Sequence, residues 1–257
     1  MISKSILSSF FTLALLTSFM SSSVFASHPL ITDDTGTQGK GKFQFELNGE
    51  RSRDKNGGVK TTETALAAAL TYGIINELDI VVNAPWIKAD ADDSVQKTSE
   101  NGVSDVSIEA KWRFMEKGGF SLALKPGITL PTGDEKKDLG AGKTTYSLFF
   151  ITTKDLKPLL FHVNLGFIRN ENNNNNEVNI WHASFATEFS VTEKMRIVAN
   201  VGGEKNPDKT VDKDPAFILG GIVYAVSERF DVDFGVKAGL TSAEPDFTAL
   251  AGITTRF

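Results

Sequence analysis

From about Lys42 to the last residue, apolar and polar positions alternate with period two in one run after another. That period marks strands whose two faces meet different surroundings. The cleanest run sets Val106, Ile108, Ala110, Trp112 and Phe114 against Asp105, Ser107, Glu109, Lys111 and Arg113. Others set Phe43, Phe45 and Leu47 against Gln44, Glu46 and Asn48, and Leu78, Ile80 and Val82 against Asp79 and Asn83. Further on, Phe161, Val163, Leu165 and Phe167 oppose His162, Asn164 and Gly166, and Phe230, Val232, Phe234 and Val236 oppose Asp231, Asp233 and Lys237. Two runs, around Phe149–Phe150 and from Phe217 to Val226, are apolar on both faces. Twelve runs follow one another. At about 9–14 residues each, they can cross an apolar band of roughly 25 Å at a tilt near 40°.

The connectors alternate in kind. Gly73–Glu77, Met115–Gly119, Thr153–Lys157, Thr192–Lys194 and Ser227–Arg229 are short. Ser52–Gly58, Lys88–Gly102, Pro131–Lys143, Asn170–Glu177, Lys205–Asp214 and Ser242–Asp246 are, as a set, longer and more polar. Short turns on one side and long loops on the other are the habit of outer-membrane barrels, and a soluble sandwich gives no reason for the alternation. The pattern therefore predicts an all-β fold: a transmembrane up-and-down antiparallel β-barrel of about 12 strands over residues 41–257. The last run, Phe247 to Phe257, ends on an aromatic residue and resembles the closing strand of bacterial outer-membrane barrels. That resemblance implies the barrel-assembly machinery as a partner, acting on the strand that ends at Phe257, alongside outer-membrane lipid.

Residues 1–26 read as a signal peptide: Lys4, then an apolar stretch from Ile6 to Met20, then Val24-Phe25-Ala26 before the cleavage point. Residues 27–40 are expected to form a periplasmic N-terminal segment. The longest apolar stretch beyond the leader, Pro215 to Ser227, is too short for a membrane helix, which needs roughly 18 residues. The chain has no cysteine, which excludes thiol chemistry, and a net charge of −5, which gives no support to nucleic-acid binding. No cofactor is expected.

The candidate site is the polar face itself: Glu46, Glu63, Asp79, Asp105, Glu109, Lys111, Arg113, Lys125, His162, His182, Glu188, Arg196, Asp231, Asp233, Lys237 and Arg256. Mixed charges on an enclosed surface either tune a water-filled pore or fill a narrow lumen with ion pairs. Asp33-Asp34 could take a divalent cation, but no second acidic cluster supports it. His162 and His182 lie on neighbouring strands, and Ser184 near them suggests a hydrolase; no G-x-S-x-G elbow accompanies them. Lumen hydrogen bonding is the plainer role. Asn172 to Asn176 is a low-complexity run that reads as a solvated outer loop.

Several stretches in order resemble the family named for the MetA pathway of phenol degradation, whose members are labelled transporters. They are Pro29-Leu-Ile-Thr-Asp-Asp34 with Gly36-Thr37, Glu46-Leu-Asn-Gly-Glu50, and Tyr72-Gly73 followed by Glu77-Leu-Asp79. Gly102-Val-Ser-Asp105, Lys111-Trp-Arg113, and Leu130-Pro-Thr-Gly-Asp134 through Gly140-Ala-Gly142 complete the set. The resemblance implies an outer-membrane channel found beside the breakdown of aromatic or hydrophobic compounds, and it supplies no binding residues. The expected function is passive passage of small solutes, hydrophobic or aromatic ones included, with no enzymatic activity. The alternatives are a closed structural or adhesion barrel and, less favoured, a barrel hydrolase.

Overall fold

A computed structural model describes residues 28–56 and 58–257; the expected leader lies outside them. The alternating runs form strands β1 (Phe43–Asn56), β2 (Val59–Ile75), β3 (Leu78–Asp92), β4 (Lys97–Val103), β5 (Val106–Lys117), β6 (Phe120–Leu130) and β7 (Thr145–Leu156). They continue as β8 (Leu159–Arg169), β9 (Asn179–Ser190), β10 (Met195–Glu204), β11 (Ala216–Ser227), β12 (Phe230–Gly239) and β13 (Phe247–Arg256). Successive strands pair antiparallel, and β1 pairs with both β2 and β13, so the sheet closes on itself. β3 pairs with β5 over Leu78–Asn83 and with β4 over Trp86–Asp92. β4 and β5 therefore share one position in the wall, and the barrel has twelve. The interruption falls at Ser104-Asp105, where the Asp105 carboxylate turns aside to accept the Gly133 and Ala141 N–H groups, both at 2.8 Å.

Burial is inverted relative to a water-soluble protein. Phe114, Leu165, Phe167, Phe185, Ile218, Ile222 and Phe234 are exposed on the outer surface, while Asp79, His162, Glu188 and Asn200 are buried. Closure explains why this is stable: backbone N–H and C=O groups within the wall find a partner strand on either side, as a hydrocarbon environment requires. The two runs that are apolar on both faces send Ile151, Phe217 and Leu219 inward. Phe217 and Leu219 join Leu250 in a small buried cluster against which Leu30 and Ile31 pack.

Two expectations are corrected, and one is filled out. Ser52–Gly58 and Lys88–Gly102 are mostly strand: β1 and β2 pair as far as Asn56–Val59, and β3 and β4 as far as Asp92–Lys97. The asparagine run is tied down, since Asn173 Nδ2 donates to Glu135 Oε2 at 3.1 Å and Asn174 Nδ2 to the Gly140 carbonyl at 3.3 Å. The largest difference concerns residues 28–40. The sequence points to a periplasmic segment, dangling or tucked, and these residues lie inside the barrel lumen.

At the loop end, Asp214 gathers its own loop by accepting the Asn206 N–H at 3.0 Å and Lys205 Nζ at 3.1 Å. The Asn206 bond, then the Lys205 bond, hold its carboxyl below the ordinary carboxylate range. At the turn end, Phe43 and Phe257 exchange backbone hydrogen bonds at 2.9 and 3.2 Å, sealing β1 to β13.

Candidate functional site

The site is the lumen and the segment that crosses it. The segment begins against β10–β13. His28 Nδ1 meets Asp233 Oδ1 at 2.6 Å. Pro29 lies over Gly221 and Gly235, where there is no side chain: a Cβ on Gly235 would stand 2.7 Å from Pro29 Cβ. Asn200 Oδ1 accepts the Ile31 and Thr32 N–H groups at 2.8 and 3.0 Å, and its Nδ2 donates to Thr32 Oγ1 at 2.7 Å. The chain then reaches the opposite wall. Asp33 bridges Lys111 and Lys125, with Nζ–O distances of 3.1 and 2.9 Å. Oriented to satisfy both neighbours, the Asn164 amide accepts the Asp33 N–H at 2.7 Å and donates to its carbonyl at 2.8 Å.

Asp34 is fully buried, 3.9 Å from Lys111, and accepts the Gly36 N–H. The Thr35 N–H donates to Thr153 Oγ1 at 3.1 Å, and its hydroxyl pairs with Ser121. The Gln38 N–H donates to Asp79 Oδ2 at 2.9 Å. Thr37 and Lys40 then meet Asn76 in the β2–β3 turn, and the chain leaves to start β1. The segment forms no regular strand or helix. Side chains of the wall hold it at nearly every step.

The predicted polar-face residues divide by what they touch. Asp79, Lys111, Lys125 and Asp233 contact the segment directly. Glu109 pairs with Lys125 at 3.3 Å, and Glu46 lines the cavity beside it. A second group ties the wall to itself: Glu188 pairs with Arg196 at 3.0 Å and His162 at 3.3 Å, and Arg256 pairs with Asp231 at 3.0 Å. Lys237 pairs with Glu244 at 2.7 Å and lies over the Phe217 ring. Glu63 sits with Lys237 around a cavity of about 90 Å³. Arg113 is at the turn end, 3.2 Å from Glu116, and Asp105 organises the loop after β6.

His162 and His182 do not meet. The register puts His162 opposite Ala186 and His182 opposite Gly166, four residues apart along the pair. His182 instead stands between Ser184 Oγ at 3.0 Å and Glu204 Oε2 at 3.3 Å. That is the order of a Ser-His-acid chain. Yet Ser184 sits between Asn164 and Gly202 in the sheet, so the backbone N–H groups around it serve the ladders. The strand supplies no oxyanion donors of the kind acyl transfer needs. Among the described residues, no group of three or more His, Asp or Glu side chains could hold a metal ion.

Sequence reasoning missed the neutral half of the site: Asn200, Asn164, Thr153, Ser121 and the glycines under Pro29. Asn164 and Asn200 were legible on the polar face, whereas Thr153 read as part of a turn and lies in β7. Their common partner was not legible, because residues 28–40 have no periodicity that places them.

A family model described as "Putative MetA-pathway of phenol degradation" matches residues 26–257. No curated protein sequence matches the chain. Among solved structures, the KdgM porin in complex with disordered oligogalacturonate is similar, at 9% identity over 83% of this chain and 99% of that one, with a TM-score of 0.56. The KdgM porin alone gives 0.54 at the same identity and coverage. The β domain of the Bordetella autotransporter BrkA gives 0.50 at 14% identity, over 85% and 100% of the two chains. At such identities the likeness is one of fold.

Proposed function

This chain belongs to the MetA-pathway of phenol degradation family, and from that membership and its inverted barrel we propose that it is an outer-membrane channel for passive passage of small solutes. Aromatic and other hydrophobic molecules are the class that the family membership favours. One observation carries the reading. A barrel that only braces or adheres would fill its lumen with side chains of its own wall. This wall encloses a passage wide enough for a length of backbone and lines it with Asp79, Lys111, Lys125, Asp233 and Asn200. What fills the passage is a segment without ladder bonds to the strands, so each of its contacts can be exchanged for water. We read it as a movable filling, with the charged inner face as the solute's path once it has moved.

The test is conductance in planar bilayers. The wild-type protein should show rare openings, and a variant with Asp33→Asn and Gly235→Ala frequent ones. Bare-lipid conductance from both, with folding shown by heat-modifiable gel mobility, leaves the closed structural barrel as the answer. Recovery of the protein in the outer-membrane fraction checks the location, and slower assembly on deletion of Phe257 checks the proposed role of the last strand.

The Ser184–His182–Glu204 chain favours a second reading, a lumen-facing hydrolase. Cleavage of a chromogenic ester that is unchanged by His182→Ala ends that reading.

A further inference from the structure

Lys111 and Lys125 stand on neighbouring strands, β5 and β6, with both ammonium groups turned into the lumen. The Asp33 carboxylate spans them, one oxygen on each. The acids that pair with Lys111, Asp33 at 3.1 Å and Asp34 at 3.9 Å, both belong to the inserted segment. Among the described residues, no carboxylate of the wall forms an ion pair with it. Lys125 has one wall partner, Glu109. If the segment moves aside, Lys111 keeps no wall carboxylate within ion-pair distance and Lys125 keeps Glu109 alone, which leaves the space between the two ammonium groups to an entering anion.

Space for such an anion lies beside them. A cavity of about 210 Å³ runs between the segment and the wall, with Thr71 and Val81 on one side and Leu30 and Ile31 on the other. It is smaller than the roughly 300 Å³ at which drug-sized pockets begin, so it suits a body of few heavy atoms. The wall side of the cavity is mostly polar, with Gln44, Glu46, Asn48 and Thr71 beside Val81, and the space widens when Leu30 and Ile31 leave with the segment.

The wall acids nearby disfavour a highly charged anion. Glu109 touches Lys125, Asp79 stands directly across from Lys111 in the β3–β5 register, and Glu46 lines the same cavity. A dianion would meet stronger repulsion from these three than a monocarboxylate, and a neutral molecule would gain nothing from the two ammonium groups.

We propose that the Lys111–Lys125 pair is a binding site for the carboxylate of a small organic acid, and that Asp33 occupies it as a tethered stand-in while the channel is at rest. The proposal rests on the channel reading and names a solute class for it. Solute and segment compete for the same two ammonium groups, so the solute that binds also disfavours the filling.

The test is calorimetric titration of the full chain in detergent micelles with benzoate, benzyl alcohol and inorganic phosphate. Removing the tethered competitor with Asp33→Asn should tighten benzoate binding by about tenfold or more, with no such gain for the alcohol or for phosphate. Adding Lys111→Met and Lys125→Met to that variant should abolish binding. Should the double lysine change fail to fold, Lys111→Gln in the Asp33→Asn background should weaken benzoate. Equal affinity of wild type and Asp33→Asn for benzoate, equal binding of phosphate, or binding that survives loss of the lysines each overturns the site. Conductance recorded in parallel separates the two readings. Benzoate bound without any current removes the channel and leaves the site; current without carboxylate preference removes the site and leaves the channel.

Discussion

Asp33→Asn is the sharpest test of whether residues 28–40 are docked as described. The change keeps shape and removes one charge from a bridge between two lysines whose side chains are 10% and 16% exposed. Breaking a buried ion pair from one side costs about 3–5 kcal/mol, and the 22% exposure of Asp33 argues for the lower end, about 3 kcal/mol. At roughly 1.4 kcal/mol per decade, the undocked population should rise about a hundredfold. The chain contains no cysteine, so Thr35→Cys gives a single reporter at a position only 3% exposed. Its labelling by a membrane-impermeant maleimide tracks the undocked fraction when docking is fast relative to the reagent. Labelling should be slow with Asp33 present and about two decades faster in the Asp33→Asn variant, since the rate follows that fraction. A rise below about threefold would mean that the Lys111–Lys125 bridge contributes under 1 kcal/mol, and the docking account fails.

Gly235→Ala places a methyl against Pro29 while its nearest wall atom, the Gly220 carbonyl oxygen, is 3.5 Å away. It should speed the same labelling without lowering the unfolding midpoint of the barrel in urea. Glu188→Gln leaves Arg196 without its partner at 3.0 Å, in a pair where Glu188 is only 1% exposed. A loss of about 3 kcal/mol in urea unfolding is expected, and a loss under 1 would show the pair to be solvated. Phe234→Lys puts a charge near the middle of β12 on the outer face, where Phe234 is exposed. Stability in lipid should fall by about 2–4 kcal/mol, and an unchanged value would argue against lipid on that face. Asn173→Ala removes the amide that bonds Glu135 and the Gly142 carbonyl, and the loop after β6 should be nicked faster by added protease.

The wall was legible because lipid and lumen impose opposite demands on alternate residues. Phe161 to Phe167 and Phe230 to Val236 state both answers in one line of sequence. Legibility fails where that contrast ends. β4 is polar on both faces, Lys97, Ser99 and Asn101 against Thr98 and Glu100, and the outer part of β3 sets Lys88, Asp90 and Asp92 against only the small Ala89 and Ala91. Without large apolar side chains the alternation is faint, and a strand reads as a loop. The segment 28–40 fails for another reason. Its partners come from β3, β5 to β8, β10 and β12, so no local window contains them. Asp33 and Asp34 are visible as paired acids and draw attention to a cation. The cations they find are Lys111 and Lys125, 78 and 92 positions from Asp33, on faces already marked as polar.

The seam has a consequence for how the molecule is put together. Residues 28–40 lead directly into β1, whose second neighbour is β13, the last strand of the ring. Until β13 has been made and delivered, the hoop stays open along one side, and the strap can be laid across it sideways. Afterwards the way in is the turn end near Asn76, through which the strap would have to be fed lengthwise. A barrel that seals first should fill only from that end, by the same route that docking and undocking take in the finished molecule.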